Sequence, residues 1–435
     1  MKYLKRTLFV VAALITLVAL FYAIENWRGA RDYQAVIDRL RDAGEELDFA
    51  KLTPSVVPDD ENFGSAPFLQ DLKQEGEEGS SQAMMQSIYD SIRRVEEAET
   101  TEEFLAIAKQ LAEENGSEEE PLEFLVRNLE PWQPIRQTLV DRLSLPHARW
   151  NKTFPSGQRA DAYAVFNIGS FFVMKMTAIQ ARVHLLEGQE EAALEDIFLG
   201  LRLGKMYRQE PALIPHVLFL ANLALMGEPI KDGLRTQAFS SEQLDRLGAK
   251  LGEIDFSSIL QTAMRGERGF ALTFKDSKAE ILKDENEASW LRWVPRGWAL
   301  RGFGVLAEAC QETVEIFEES GSTLEAQQQA WETLWEECGA FRPTKWTASM
   351  GAMKLTGIGG AHSDAVRVMA VHQAVIEINK FKLLQGRYPA GLDELPSKHL
   401  DPFDEQPLVY QRLGDGFRIE TREEPEGFPY RLEVP

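Results

Sequence analysis

The chain has almost no cysteine: Cys310 and Cys338 are the only two among 435 residues. Two thiols cannot build a disulfide scaffold and are too few for a structural zinc site. Histidine is sparse and scattered, at positions 147, 184, 216, 362, 372 and 399. No H-E-x-x-H and no pair four residues apart occurs, so the sequence offers no metal site. His184 and His216, inside apolar helical stretches, read as hydrogen-bonded core residues. No G-x-S-x-G elbow, Ser-x-x-Lys pair or phosphate-binding loop is present, and no cofactor is expected. Positive charge is also short, with 47 basic residues against 69 acidic ones and a net charge of −22. Residues 1–31 hold five of the basic residues and one of the acidic ones, so the remainder stands at −26. Such a surface repels phosphate backbones and anionic headgroups, which excludes nucleic acid as a partner.

Long apolar runs are absent too, with one exception. Leu8 to Ile24 reads LFVVAALITLVALFYAI, seventeen residues without a charge. As a helix it spans roughly 26 Å, close to the thickness of a hydrocarbon core. Tyr3, Tyr22 and Trp27 flank it as interfacial aromatics do. Lys2, Lys5 and Arg6 precede it, whereas Glu25, Arg28, Arg31 and Asp32 after it nearly cancel. This asymmetry predicts a single-pass anchor in a bacterial-type inner membrane, with the N-terminus cytoplasmic and the bulk periplasmic. A cleaved signal is the competing reading, but Phe21-Tyr22-Ala23 and Ala19-Leu20-Phe21 each put a ring where cleavage needs a small residue. A type IV pilin start is excluded, because the segment has no Gly-Phe processing site and no glutamate just inside it.

Helical periodicity dominates the rest of the chain. Trp27, Ala30, Ile37, Leu40, Ala43 and Leu47 continue the first helix outward with an apolar face. Lys51 to Pro67 reads as a loop, and residues 80–145 as short helices, one opened by a Thr100-x-x-Glu103 capping box. Residues 96–120 hold ten glutamates against Lys109 alone, a solvated face or a docking surface for a basic partner. Residues 160–208 form a helical pair that resembles a tetratricopeptide hairpin, with Ala181, Gly188, Ala193, Ile197 and Gly200 at its small positions. No second copy occurs at the 34-residue period, so a peptide-binding array is not expected. Helices are predicted at Pro211–Met226, Ser240–Ile254, Ser257–Leu282, Gly302–Glu319, Thr323–Cys338 and Asp364–Leu384. Gly351 to Gly360 is the best boundary between a helical body, 25–350, and a C-terminal α+β module, 351–435; residues 1–24 form the stub and anchor. In that module Leu408 and Tyr410 alternate, Gly414-Asp415-Gly416 turns, Phe417 and Ile419 alternate again, and Tyr430, Leu432 and Val434 suggest a third strand.

The end of the chain resembles type II secretion pseudopilins through Gly386-Arg387-Tyr388-Pro389, Leu392, Leu395 and Asp401-Pro402-Phe403. The likeness covers about 70 residues. The whole layout also looks like a group of bacterial single-pass, membrane-anchored helical proteins that end in this module and have no assigned activity. It implies location and fold and transfers no site. In pseudopilins the region after the Asp-Pro can help hold calcium; Asp401, Asp404 and Asp415 match no calcium loop and read as turn residues.

Two clusters remain as candidate chemistry. Cys310 and Cys338 lie 28 residues apart around Glu319-Ser320-Gly321-Ser322-Thr323 and form a candidate disulfide if the flanking helices pair, with separately buried thiols as the alternative. Arg265-Gly266-Glu267-Arg268-Gly269 puts two glycines inside a helix, where each costs roughly 1 kcal/mol relative to alanine unless something packs closely. The expected function is a membrane-tethered scaffold with a protein partner in the envelope. The alternative is an envelope hydrolase acting on glycans with Glu267 as its acid, chemistry that needs a second carboxylate.

Overall fold

A computed structural model describes residues 2–72, 81–153, 168–273, 293–319, 321–352, 357–422 and 430–435. The helical patterns expected at 160–167 and 274–282 lie outside these residues. The protein is mainly α-helical and ends in a small antiparallel sheet. The first half holds α1 (Lys2–Asp42), α2 (Phe49–Leu52), α3 (Pro67–Asp71), α4 (Ser81–Ile92), α5 (Thr101–Glu114), α6 (Pro121–Leu129) and α7 (Gln133–Val140). Next come α8 (Ile168–Leu186), α9 (Glu190–Arg208), α10 (Leu213–Arg235), α11 (Ser241–Gly252) and α12 (Phe256–Thr273). The last group is α13 (Arg296–Glu318), α14 (Leu324–Gly339), α15 (Trp346–Ala352) and α16 (Ile358–Gln385).

Local chemistry sets several of these ends. Ser240 and Gln243 close a reciprocal capping box at the start of α11. Thr100 caps α5 by accepting from the Glu103 N–H, but the Glu103 carboxylate accepts from the Glu99 N–H, one residue earlier than a capping box requires. The acidic stretch is not bare, since Glu114 pairs with Arg94 and Glu119 with Arg127.

The α8–α9 hairpin turns at Gly188, whose φ of +68° suits glycine. Gly200 lies on the face of α9 against Met226, where a Cβ would meet sulfur at 1.9 Å. Gly200 therefore seats α10 rather than a second repeat. α10 runs nine residues past its expected end at Met226, through Gly227 and Pro229. Burial of Ile230 and Leu234 outweighs the hydrogen bond that Pro229 removes. The glycines at 357–360 are not a loose connection either. Gly357 caps α16, Gly359 lies in its first turn, and a Cβ at Gly359 would strike Trp331 at 2.6 Å.

The sheet contains β1 (Val409–Leu413), β2 (Gly416–Glu420) and β3 (Arg431–Val434) in the order β1-β2-β3. Phe417, Ile419, Leu432 and Val434 point into the core shared with α10 and α16. On the opposite face, Arg418 pairs with Glu433 and Arg431 with Glu420, as the register places them. Asp401 anchors this region: Arg367 donates to both of its oxygens, at 3.0 and 2.9 Å, and Asp401 also accepts from the Phe403 and Arg422 N–H groups. It is fully buried and acts as a structural tie.

Buried polar residues follow no single pattern. His184 is hydrogen-bonded, its Nδ1 at 2.7 Å from Asp196, which also accepts from Arg136 at 2.5 Å. His216 corrects the expectation made for it, because neither ring nitrogen has a hydrogen-bond partner among the described residues. Its ring instead packs against His362, with centroids 5.5 Å apart, and against Phe219. Burial pushes His216 down to about 4, and burial together with His216 pushes His362 down to about 3. Both are therefore neutral in the folded protein at pH 7. An unfolded chain binds protons at these positions from about pH 6.5 downward while the native state does not. Stability is thus complete above pH 6.5 and falls as pH drops toward about 4. Denaturant unfolding across this window should show that loss, and a His216→Gln, His362→Gln double variant should have a flatter profile.

Candidate functional site

The region that sets this molecule apart is where α1 leaves the fold. From Tyr3 to Phe21 every residue of α1 is exposed, with Phe9 at 76 %. α10 is also long and apolar enough to pass for a membrane span, but most of it is buried in the body. An uncovered apolar cylinder such as the first half of α1 needs an apolar environment.

The second half of the same helix is locked onto α13. Gly29 and Gly297 bring the two backbones into contact: a Cβ on Gly29 would lie 1.9 Å from the Gly297 carbonyl oxygen, and one on Gly297 would lie 2.0 Å from that of Glu25. Around this crossing, polar groups pair across the two helices. The Asn26 side chain accepts from the Gly297 N–H at 2.9 Å, and the Glu25 carboxylate accepts from the Trp298 indole at 2.7 Å. Arg301 donates to Asp32 at 3.0 Å. Tyr22 donates to the Trp293 carbonyl and Tyr33 to that of Leu272. Below the crossing, Tyr33, Val36 and Leu40 join Leu300, Phe303 and Ala271 in one apolar cluster. Exposed Trp27 and Trp293, at 63 % and 78 %, mark the level where the apolar half begins.

Glu267 sits on α12 with its carboxylate accepting from the Leu213 N–H at 2.8 Å. That N–H is one of the free donors at the start of α10, so Glu267 caps a neighbouring helix. Burial raises its pKa while this hydrogen bond lowers it. The glycine beside it is also accounted for, since a Cβ at Gly266 would lie 1.6 Å from the Pro211 carbonyl. The flanking arginines turn elsewhere, Arg265 to Glu318 and Arg268 to Glu45. Glu267 lines none of three clefts formed by described residues, beside Phe104, Phe198 and Phe171 respectively.

Cys310 and Cys338 are both free, buried thiols in one cluster with Trp331 and Trp335. α13 and α14 do pair, but Cys310 lies about two turns before the connection and Cys338 about four turns after it. Burial raises both, Cys338 to about 11, so neither is a thiolate nucleophile at neutral pH. Among the described residues no group of three or more His, Cys, Asp or Glu side chains is arranged to hold a metal.

The α1–α13 junction escaped the sequence reading. Its signals were there: Glu25 and Asn26 directly after an apolar run, and single glycines in Arg28-Gly29-Ala30 and Arg296-Gly297-Trp298. Nothing in the sequence links positions some 270 residues apart. A Gly297→Val side chain has no room against the Glu25 carbonyl and should lower stability by about 1–3 kcal/mol. Thermal unfolding in a non-ionic detergent measures this. Gly360→Ala, whose Cβ would meet nothing within 4 Å, should be close to neutral.

No protein-family model matches this chain, and no curated protein or solved structure matches it either.

Proposed function

We propose that the protein is a membrane-tethered extracytoplasmic scaffold, in which α1 crosses the inner membrane and holds the body at a fixed angle to it. The observation that carries this reading is the division of a single 41-residue helix into an exposed apolar half and a half interlocked with α13. A flexible leash would separate the motions of anchor and body. A continuous helix with a backbone-to-backbone crossing transmits them. Lys2, Lys5 and Arg6 favour a cytoplasmic N-terminus. The acidic body favours standing off anionic lipid except at the aromatic level of Trp27 and Trp293. Cleavage beyond Trp27 would remove Glu25 and Asn26, both used in the junction, which supports a permanent anchor over a signal.

The partner on this reading is an envelope protein, and the likeness of residues 386–403 to pseudopilin ends points toward a secretion-type assembly. The hydrolase alternative has less support, because Glu267 is engaged as a helix cap. Three measurements test the proposal. A periplasm-active reporter fused after Pro435 should be active. The purified mature chain should retain residue 2 by mass. A chain lacking residues 2–21 should remain folded and leave the membrane fraction. A cytosolic C-terminus or a mature chain starting past Trp27 would sink the tether, and in-cell crosslinking that captures no repeatable protein would sink the scaffold role.

A further inference from the structure

A cleft of about 380 Å³ lies between α9, α11 and the segment after α7, within the size range of small-molecule sites. One part of its wall is apolar: Leu143, Phe198, Leu201, Phe219 and Ile254. The other part is cationic. Arg202, Lys205 and Arg208 come from α9, Arg246 and Lys250 from α11, and only Glu195 and Glu253 oppose them. In a chain with a net charge of −22, five cations against two acids at this cleft reverse the overall balance.

The ion pairs around the cleft leave part of that charge uncompensated. Glu195 is 3.5 Å from Arg136, Glu253 pairs with Lys250 at 2.8 Å, and Arg246 pairs with Glu191 at 2.7 Å. The three cations of α9 have no carboxylate within salt-bridge distance among the described residues. Arg202 donates to the carbonyls of Leu145 and His147, and its buried Nε has no partner. Arg208 reaches the Glu253 carbonyl at 3.4 Å. The Lys205 ammonium has no hydrogen-bond or ion-pair partner among the described residues. Spacings of three residues put all three on one side of α9. Burial lowers the pKa of each, and Arg202, Arg208 and Lys250 lower Lys205 further while Glu253 opposes them.

Like charges gathered beside apolar side chains destabilise the empty cleft, and an anion relieves that repulsion. We propose that this cleft binds a small organic anion, a phosphate or carboxylate head joined to a short apolar body. The head sits among Lys205, Arg208 and Arg202, where guanidinium and ammonium donors make charge-assisted hydrogen bonds. The apolar body lies against Phe198 and Leu201. The site is independent of the tether reading and stands or falls without it.

The test is calorimetric titration of the full chain in nanodiscs of zwitterionic lipid with hexyl phosphate, inorganic phosphate and hexanol. Hexyl phosphate should bind saturably and more tightly than inorganic phosphate, and hexanol should not saturate. Lys205→Gln should weaken hexyl phosphate about tenfold, the loss of one hydrogen bond to a charged group, and Lys205→Arg should restore it. The Lys205 side chain is partly exposed and its ammonium has no partner among the described residues, so neither variant should unfold at a lower temperature than the parent, and Lys205→Gln, which relieves like-charge crowding, should unfold at the same temperature or slightly higher. If nanodiscs containing phosphatidylglycerol suppress the titration, the natural ligand is a lipid headgroup; if they do not, it is a soluble anion. No saturable binding of hexyl phosphate, or binding unchanged in Lys205→Gln, overturns the site. Equal affinity for hexyl and inorganic phosphate overturns its apolar half.

Discussion

The contact on which the architecture depends is the crossing of Gly29 over Gly297, where the absence of two side chains lets two backbones touch. Everything polar at this junction depends on that approach. Asn26 reaches the Gly297 N–H, Glu25 reaches the Trp298 indole, and Arg301 reaches Asp32 because the helices are close enough for short side chains to bridge them. Further along, α1 meets the body through the apolar contacts of Tyr33, Val36 and Leu40, the Tyr33 hydroxyl on the Leu272 carbonyl and the Arg39–Glu308 pair. Apolar contacts alone permit sliding and rotation, whereas directional hydrogen bonds around a tight crossing set one angle. The exposed first half of the helix inherits that angle, since the chain between Lys2 and Asp42 is a single helix.

How much of this could be read from residues divides along the distance over which each signal acts. Signals within one turn were legible. Ser240 and Gln243 cap α11, α14 starts within one residue of the expected Thr323, and the alternation of Leu408, Tyr410, Phe417, Ile419, Leu432 and Val434 became a three-stranded sheet with those strands in sequence order. Signals that depend on a distant partner were not. Gly357 to Gly360 reads as a break by propensity, yet Trp331 packs on Gly359 and the helix begins there. Pro229 reads as an end for α10, yet burial of Leu234 carries the helix past it. His216 reads as a satisfied core residue, but its neighbours turned out to be rings rather than hydrogen-bonding groups. Gly266 was read correctly as marking a close approach, while the object approaching, the Pro211 carbonyl, was out of reach; a Cβ on Gly269 would make only ordinary contacts, at 3.4 Å and beyond.

Charge shows the same division and explains why the cleft stands out. Arg136, Arg182, Arg268 and Arg367 serve as internal ties between segments far apart in sequence. Arg136 joins α7 to Asp196 on α9, and Arg182 joins α8 to Asp232 and to the Ala98 carbonyl. Arg268 joins α12 to Glu45, and Arg367 joins α16 to Asp401 and the Arg422 carbonyl. Each of these guanidiniums is buried with a carboxylate in contact, the arrangement that makes an enclosed cation tolerable.

Against that rule, Arg202, Lys205 and Arg208 are an exception with a physical consequence. They are partly buried, where the ties are fully so, and the acids that line their cleft are already engaged by Arg136 and Lys250. A chain with 69 acidic residues has ample carboxylate to place beside three cations on one helix. Replacing Ser144 or Leu201 at the cleft wall with an acid would be a small change. Where a cation serves only to tie segments together, a carboxylate beside it improves the tie. Where the missing partner is an anion that comes and goes, a resident carboxylate would compete with it. On the proposed reading, withholding the carboxylate at this cleft, beside the apolar surface of Phe198 and Leu201, separates a binding site from another structural ion pair.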